Sequence, residues 1–114
     1  MQSCNIERRL VAKSRHQKHR KGIPKSRRNR IYKRDNYSCI YCSQSRENGA
    51  DLTLDHIIPL CSGGSQLDTN LVTACLICNR KRNTSSVARF AYHTGGFHHL
   101  YKILEKIHKI QRGK

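Results

Sequence analysis

The sequence predicts a small α+β domain, a β-hairpin plus helix stapled by a four-cysteine zinc site, with a basic N-terminal arm and a C-terminal amphipathic helix. Three observations predict it. Two matched units, Cys39-Ile-Tyr-Cys42 and Cys75-Leu-Ile-Cys78, stand on either side of a 32-residue insert. Two runs rich in β-formers, LTLDHIIPL and NLVTAC, flank the glycine-bearing loop CSGGSQLDTN. Beyond Gly95-Gly96, the residues Phe97, Leu100, Tyr101, Leu104, Ile107 and Ile110 recur at helical spacing.

The arm comes first. Residues 1–34 hold thirteen of the 23 Lys and Arg and one acid, Glu7, so residues 1–29 read as a polycationic arm. The whole chain carries a formal +16. A field of that sign favours a polyanionic partner, nucleic acid above all. No run approaches the ~18 apolar residues of a membrane span, and the N-terminal segment lacks the apolar stretch of a secretory signal. An intracellular, reducing setting is therefore expected. There, paired cysteines point to metal before disulfide.

The domain proper is expected over residues 30–93. Only 36% of the 114 residues are hydrophobic and there is no Trp, so apolar burial alone is thin for a chain this short. Four thiolates in two knuckles suit tetrahedral zinc, with no coordination position left for chemistry. The competing reading is two redox pairs or two disulfides, but neither unit lies in a βαβ context. Cys4 and Cys61 fall outside the scheme and read as free thiols. Pro59 ends the first strand, Gly63-Gly64 turn the chain, and CLICNRKRN enters a helix. Residues 94–114 form the amphipathic helix, packed on the domain or on a second copy, so a monomer or a homodimer is expected.

The insert raises the chemical question. Asp55 and His56 sit side by side in an otherwise apolar strand, Asn70 follows fourteen residues after His56, and Asn79 nine residues later. The order D-H-I-I-P-L-x-x-G-G…N-L-V…C-x-x-C-N closely resembles the HNH endonucleases, from about Arg30 to Asn83. The resemblance implies the ββα-metal fold and metal-dependent hydrolysis of DNA phosphodiesters, leaving 5′-phosphate and 3′-hydroxyl ends. It implies His56 as general base, Asp55 and Asn79 as ligands of a catalytic Mg²⁺ or Mn²⁺, and Asn70 as a brace for the loop. Small chains of this kind are frequent in phages, which suggests the cytoplasm of a bacterial or phage-infected cell.

The same roles follow from chemistry. Hydrolysis at neutral pH needs a base whose pKa lies near ~6.5, and a hard divalent ion with few protein oxygens as ligands neutralises phosphate charge. Taken singly, each residue also has a bland reading as a turn, cap or surface group. A zinc-knuckle module that binds nucleic acid without cleaving it is the rival function. Departures from the family pattern are Ser43 after the first knuckle, where Gly is usual, and Arg82 and Asn83, where Lys and Gly are frequent.

DNA contacts are expected from Arg27, Arg28, Arg30, Lys33 and Arg34 before the first knuckle, and from Arg80, Lys81 and Arg82 after the last. Such contacts position phosphate without reading sequence, and neither a membrane nor a small-molecule substrate is expected. One geometric condition accompanies the catalytic set. Neighbouring strand residues point to opposite faces, so the backbone must leave regular strand geometry at Asp55-His56 for both to face one phosphate.

Overall fold

A computed structural model describes residues 22–83 and 85–113; most of the basic arm, including Cys4, lies outside the described residues. Helix α1 spans Lys25–Arg34, strand β1 Leu52–His56, strand β2 Leu71–Cys75, helix α2 Leu76–Arg82 and the helical run α3 Val87–Gly113. The α+β class, the hairpin and the helix after the second knuckle are as the sequence predicts.

α1 begins inside the segment read as arm. Pro24, with its fixed φ, precedes the first turn, and Lys33 and Arg34 sit in the last turn, where the helix dipole favours cations. Ile31 and Tyr32 bury its inner face. The helix therefore crosses the expected boundary, with Lys25 to Asn29 in the segment read as arm and Ile31 and Tyr32 in the domain.

β1 and β2 form a two-stranded antiparallel sheet in the register Leu52↔Cys75 through His56↔Leu71. Every residue of β2 is buried, while β1 is half-buried and, among the described residues, has no strand on its outer side. Helix hydroxyl and amide groups cover that free edge instead. Tyr32 donates to the Leu52 carbonyl at 3.2 Å, and Asn79 Nδ2 lies 3.3 Å from the Leu54 carbonyl. A hairpin alone is marginal in water. Its inner face therefore packs with both knuckles and α3 in one core that includes Tyr41, Val72, Ala74, Phe90, Ile103 and Ile107.

Gly95-Gly96 interrupts the helical run, as the sequence predicts. Gly96 adopts φ 76° and ψ −168°, so two helical segments meet at a kink inside α3. The packed face also differs from the expected stripe. Ile103 and Ile107 are buried, with Leu100 and Ile110 against the core, whereas Phe97, Tyr101 and Leu104 are exposed. The spacing 100, 103, 107, 110 is equally helical, so periodicity alone does not choose between two adjacent stripes.

Candidate functional site

The two knuckles come together. The four Sγ atoms of Cys39, Cys42, Cys75 and Cys78 lie within 4.8 Å of one another, and Cys42 Sγ is 3.7 Å from Cys75 Sγ. A tetrahedral site with Zn–S near ~2.3 Å requires S···S edges of about 3.8 Å, so the donor set fits a tetrahedral thiolate-bound ion. In the first knuckle, the Tyr41 and Cys42 amides donate to Cys39 Sγ at 3.3 and 3.4 Å. In the second, Cys75 caps α2, accepting from the Cys78 amide at 3.4 Å. Burial pushes the Cys39 and Cys78 thiols up. Burial acts against Cys75 as well, but the Cys78 amide and neighbouring thiols outweigh it and hold Cys75 below its usual value. Ser43 has φ 68° and Asn83 φ 50°, left-handed values that explain why glycine suits both positions.

The second centre surrounds Asp55. Its carboxylate is 8% exposed, and its Oδ2 accepts from Tyr41 Oη at 2.5 Å and Arg82 Nη1 at 2.6 Å. Burial, then the Asp55 charge, push the Tyr41 phenol far up, so it stays protonated and donates. Arg82 is 1% exposed and cannot be the DNA contact that its place in a basic cluster suggested. Its guanidinium also donates to the carbonyls of His56 at 2.6 Å, Ile57 at 2.7 Å and Ser85 at 2.9 Å. The helical spacing explains this, since Arg82 lies about one turn past Asn79 on the face of α2 turned toward β1.

β1 does not distort at Asp55-His56. Both residues keep their ladder partners, Val72 and Leu71, and the chain leaves the ladder only at Ile57 and Ile58. Alternation accordingly turns Asp55 inward and His56, half-exposed, outward. The unpaired edge of β1 offers another route to convergence. A cleft of about 400 Å³ runs beside that edge, lined by Arg28, Tyr32, Thr53, Leu54, His56 and Gln66 among others. Residues of both faces reach it because no neighbouring strand covers the edge. Asn79 does not line it but bonds to its wall, its Nδ2 donating to Thr53 Oγ1 at 2.8 Å.

Asn70 is 7% exposed and braces the loop from Ile57 to Asn70. Its Oδ1 accepts from the Ile58 amide at 2.9 Å, and its Nδ2 donates to the carbonyls of Ile58 at 3.1 Å and Ser65 at 2.8 Å. Gly64 admits no side chain, because a Cβ there would stand 1.7 Å from the Ile58 carbonyl oxygen. His56 Nε2 lies 2.8 Å from Gln66 Oε1.

The arginines of α1 divide into two groups. Arg27 and Arg30 pair with Asp68 at 2.7 and 2.9 Å, and Arg27 also donates to the Gln66 carbonyl. Arg34 pairs with Asp35 and donates to the carbonyls of Asp68 and Leu71. These three, expected on DNA, also fasten the loop to α1. Arg28, Lys33, Arg80 and Lys81 are exposed and have no ion pair among the described residues. Sequence reasoning missed Tyr41, Gln66 and Asp68, for which spacing offers no signal. Tyr41 alone had a hint, as an aromatic phenol inside a knuckle.

The Arg27 hydrogen bond, then Arg30, hold the Asp68 carboxyl below its ordinary value of 3.8 against a smaller penalty from burial. The fastening is therefore fully present above the unfolded pKa and lost as pH falls through the lowered folded one. Asp68→Asn is expected to speed amide exchange at Gly64 and Asn70 at pH 7. In the native protein the same acceleration should develop below about pH 4. Global stability should change little, since an exposed pair contributes about 0–1 kcal/mol. Unchanged exchange in the variant would remove Asp68 from the role.

For a hard divalent ion the remaining oxygens are informative. Among the described residues no hydrogen bond ends on Asp55 Oδ1 or Asn79 Oδ1, so each side chain has one oxygen left. Two oxygen ligands with open positions fit Mg²⁺ or Mn²⁺, although Arg82 partly neutralises Asp55 and weakens the pull on a cation.

Residues 39–94 match a family model described as HNH endonuclease. Among solved structures the fold is similar to the Type II-C Cas9 enzyme from Actinomyces naeslundii, with a TM-score of 0.56 and 20% identity. That likeness, one of fold, covers 97% of this chain and 14% of the other. No curated protein matches the sequence.

Proposed function

From the match of residues 39–94 to the HNH endonuclease model, we propose that the chain is an HNH endonuclease that hydrolyses DNA phosphodiester bonds with His56 as general base. The observation that carries this reading is the cleft at the free edge of β1. It brings a half-exposed imidazole and the Arg28 guanidinium to one opening, with Thr53 of its wall hydrogen-bonded to Asn79.

Arg28 is suited to hold a phosphate oxygen, and Lys33, Arg80 and Lys81 to hold flanking phosphates. His56 takes a proton from water, whose oxygen attacks phosphorus in line. The bond from phosphorus to the 3′ oxygen breaks, and that oxygen takes a proton from solvent, leaving 5′-phosphate and 3′-hydroxyl ends. Asp55 and Asn79 would hold a divalent ion through their remaining oxygens, and when bound such an ion neutralises charge on the non-bridging and leaving oxygens. Asn70 keeps the loop after His56 in shape. The four cysteines are assigned to zinc.

One observation favours the rival, a module that binds nucleic acid without cutting it. Asp55 points inward and is already paired with Arg82. Plasmid cleavage with Mg²⁺ or Mn²⁺ separates the two. His56→Ala is expected to slow cleavage by about 10²–10⁴-fold, the usual contribution of a general base, with DNA binding retained. Equal cleavage by both proteins removes His56 from the reaction. Binding without cleavage by either supports the rival.

A further inference from the structure

The hydrogen bond between His56 and Gln66 belongs to no ligand set and no core, yet it joins the proposed base to the most firmly fastened part of the loop. Gln66 is itself exposed, and its backbone is held from two sides. Arg27 donates to its carbonyl, and Asp68, two residues on, is gripped by Arg27 and Arg30. Asn70 binds the carbonyl of the adjacent Ser65. The Gln66 side chain thus projects from a fixed backbone toward an imidazole on the strand opposite.

An amide oxygen can only accept. With Gln66 Oε1 at 2.8 Å from His56 Nε2, that nitrogen carries the proton and Nδ1 holds the lone pair. We propose that Gln66 is a positioning residue, which fixes His56 in the Nε2–H tautomer and so makes Nδ1 the nitrogen able to take a proton. Resting on the reading of His56 as general base, this adds which atom acts and what selects it. The selection originates in α1, whose arginines hold the loop that presents Gln66.

Two readouts test it. In protein labelled with ¹⁵N-histidine, at a pH where imidazole is neutral, His56 is assigned by comparison with His56→Ala. The wild type is expected to show Nε2–H as the dominant form, and Gln66→Ala to lose that dominance. In plasmid cleavage Gln66→Ala is expected to lower kcat by about ten- to a hundredfold, the scale of a slightly misplaced group, with KM nearly unchanged. Gln66→Glu retains an acceptor and should keep both the tautomer and most of kcat. A dominant Nδ1–H form in the wild type overturns the proposal. So does a tautomer balance, or a kcat, that Gln66→Ala leaves unchanged. If His56→Ala cleaves like wild type, the hydrolytic reading falls instead, while the spectra still decide whether Gln66 sets the tautomer.

Discussion

Removing the ion from the four-cysteine site is expected to unfold the domain. Zinc held by four thiolates contributes about 10–16 kcal/mol in small zinc-dependent folds, against a typical net stability of about 5–15 kcal/mol. Here the site joins residues 39 and 42 to 75 and 78, beneath a sheet of only two strands. Without a cation, the buried Cys39 and Cys78 thiols keep their protons and nothing holds the knuckles together. Chelation at neutral pH should abolish the cooperative melting transition followed by far-ultraviolet circular dichroism, and zinc should restore it. The native protein should carry one ion per chain by elemental analysis. A chelated protein that melts at the native temperature would refute the assignment.

Arg82→Met is expected to destabilise the fold by about 3–5 kcal/mol, the usual effect of removing one partner of a buried ion pair. The variant strands the Asp55 carboxylate in the interior with Tyr41 as its remaining donor, and leaves three backbone carbonyls without their guanidinium. The four clustered cysteines are untouched, so metal content should stay at the native level. Urea unfolding should show a lower midpoint with the slope preserved. Changing Asp55 to Leu as well should recover part of the loss, because no charge then remains unpaired. A single variant as stable as wild type would mean that the pair is dispensable.

Much of this architecture was legible in the sequence because it rests on short spacings. The two Cys-x-x-Cys units, the β-formers around a Gly-Gly loop and the Asn70 brace each depend on residues within about fifteen positions. What was not legible depends on which way a side chain turns. Arg80, Lys81 and Arg82 look alike as a charge run, yet only Arg82 falls on the inner face of α2 and is buried. Arg27 and Arg28 are neighbours, but one grips Asp68 while the other lines the cleft. The expected distortion at Asp55-His56 failed for a related reason. Alternation along a strand says nothing of which edge of the strand lies open, and that edge is where the cleft lies.

Cys75 ends β2 opposite Leu52, supplies one thiol of the metal site and caps α2. Asn79 follows one helical turn later, about 6 Å along the axis at 1.5 Å per residue. The metal site is therefore the datum from which the position of Asn79 is measured. Inserting or deleting one residue between Cys75 and Asn79 would rotate the asparagine by about 100° around α2. A chain could then keep its metal, its hairpin and its charge while losing alignment between its structural half and its reactive half.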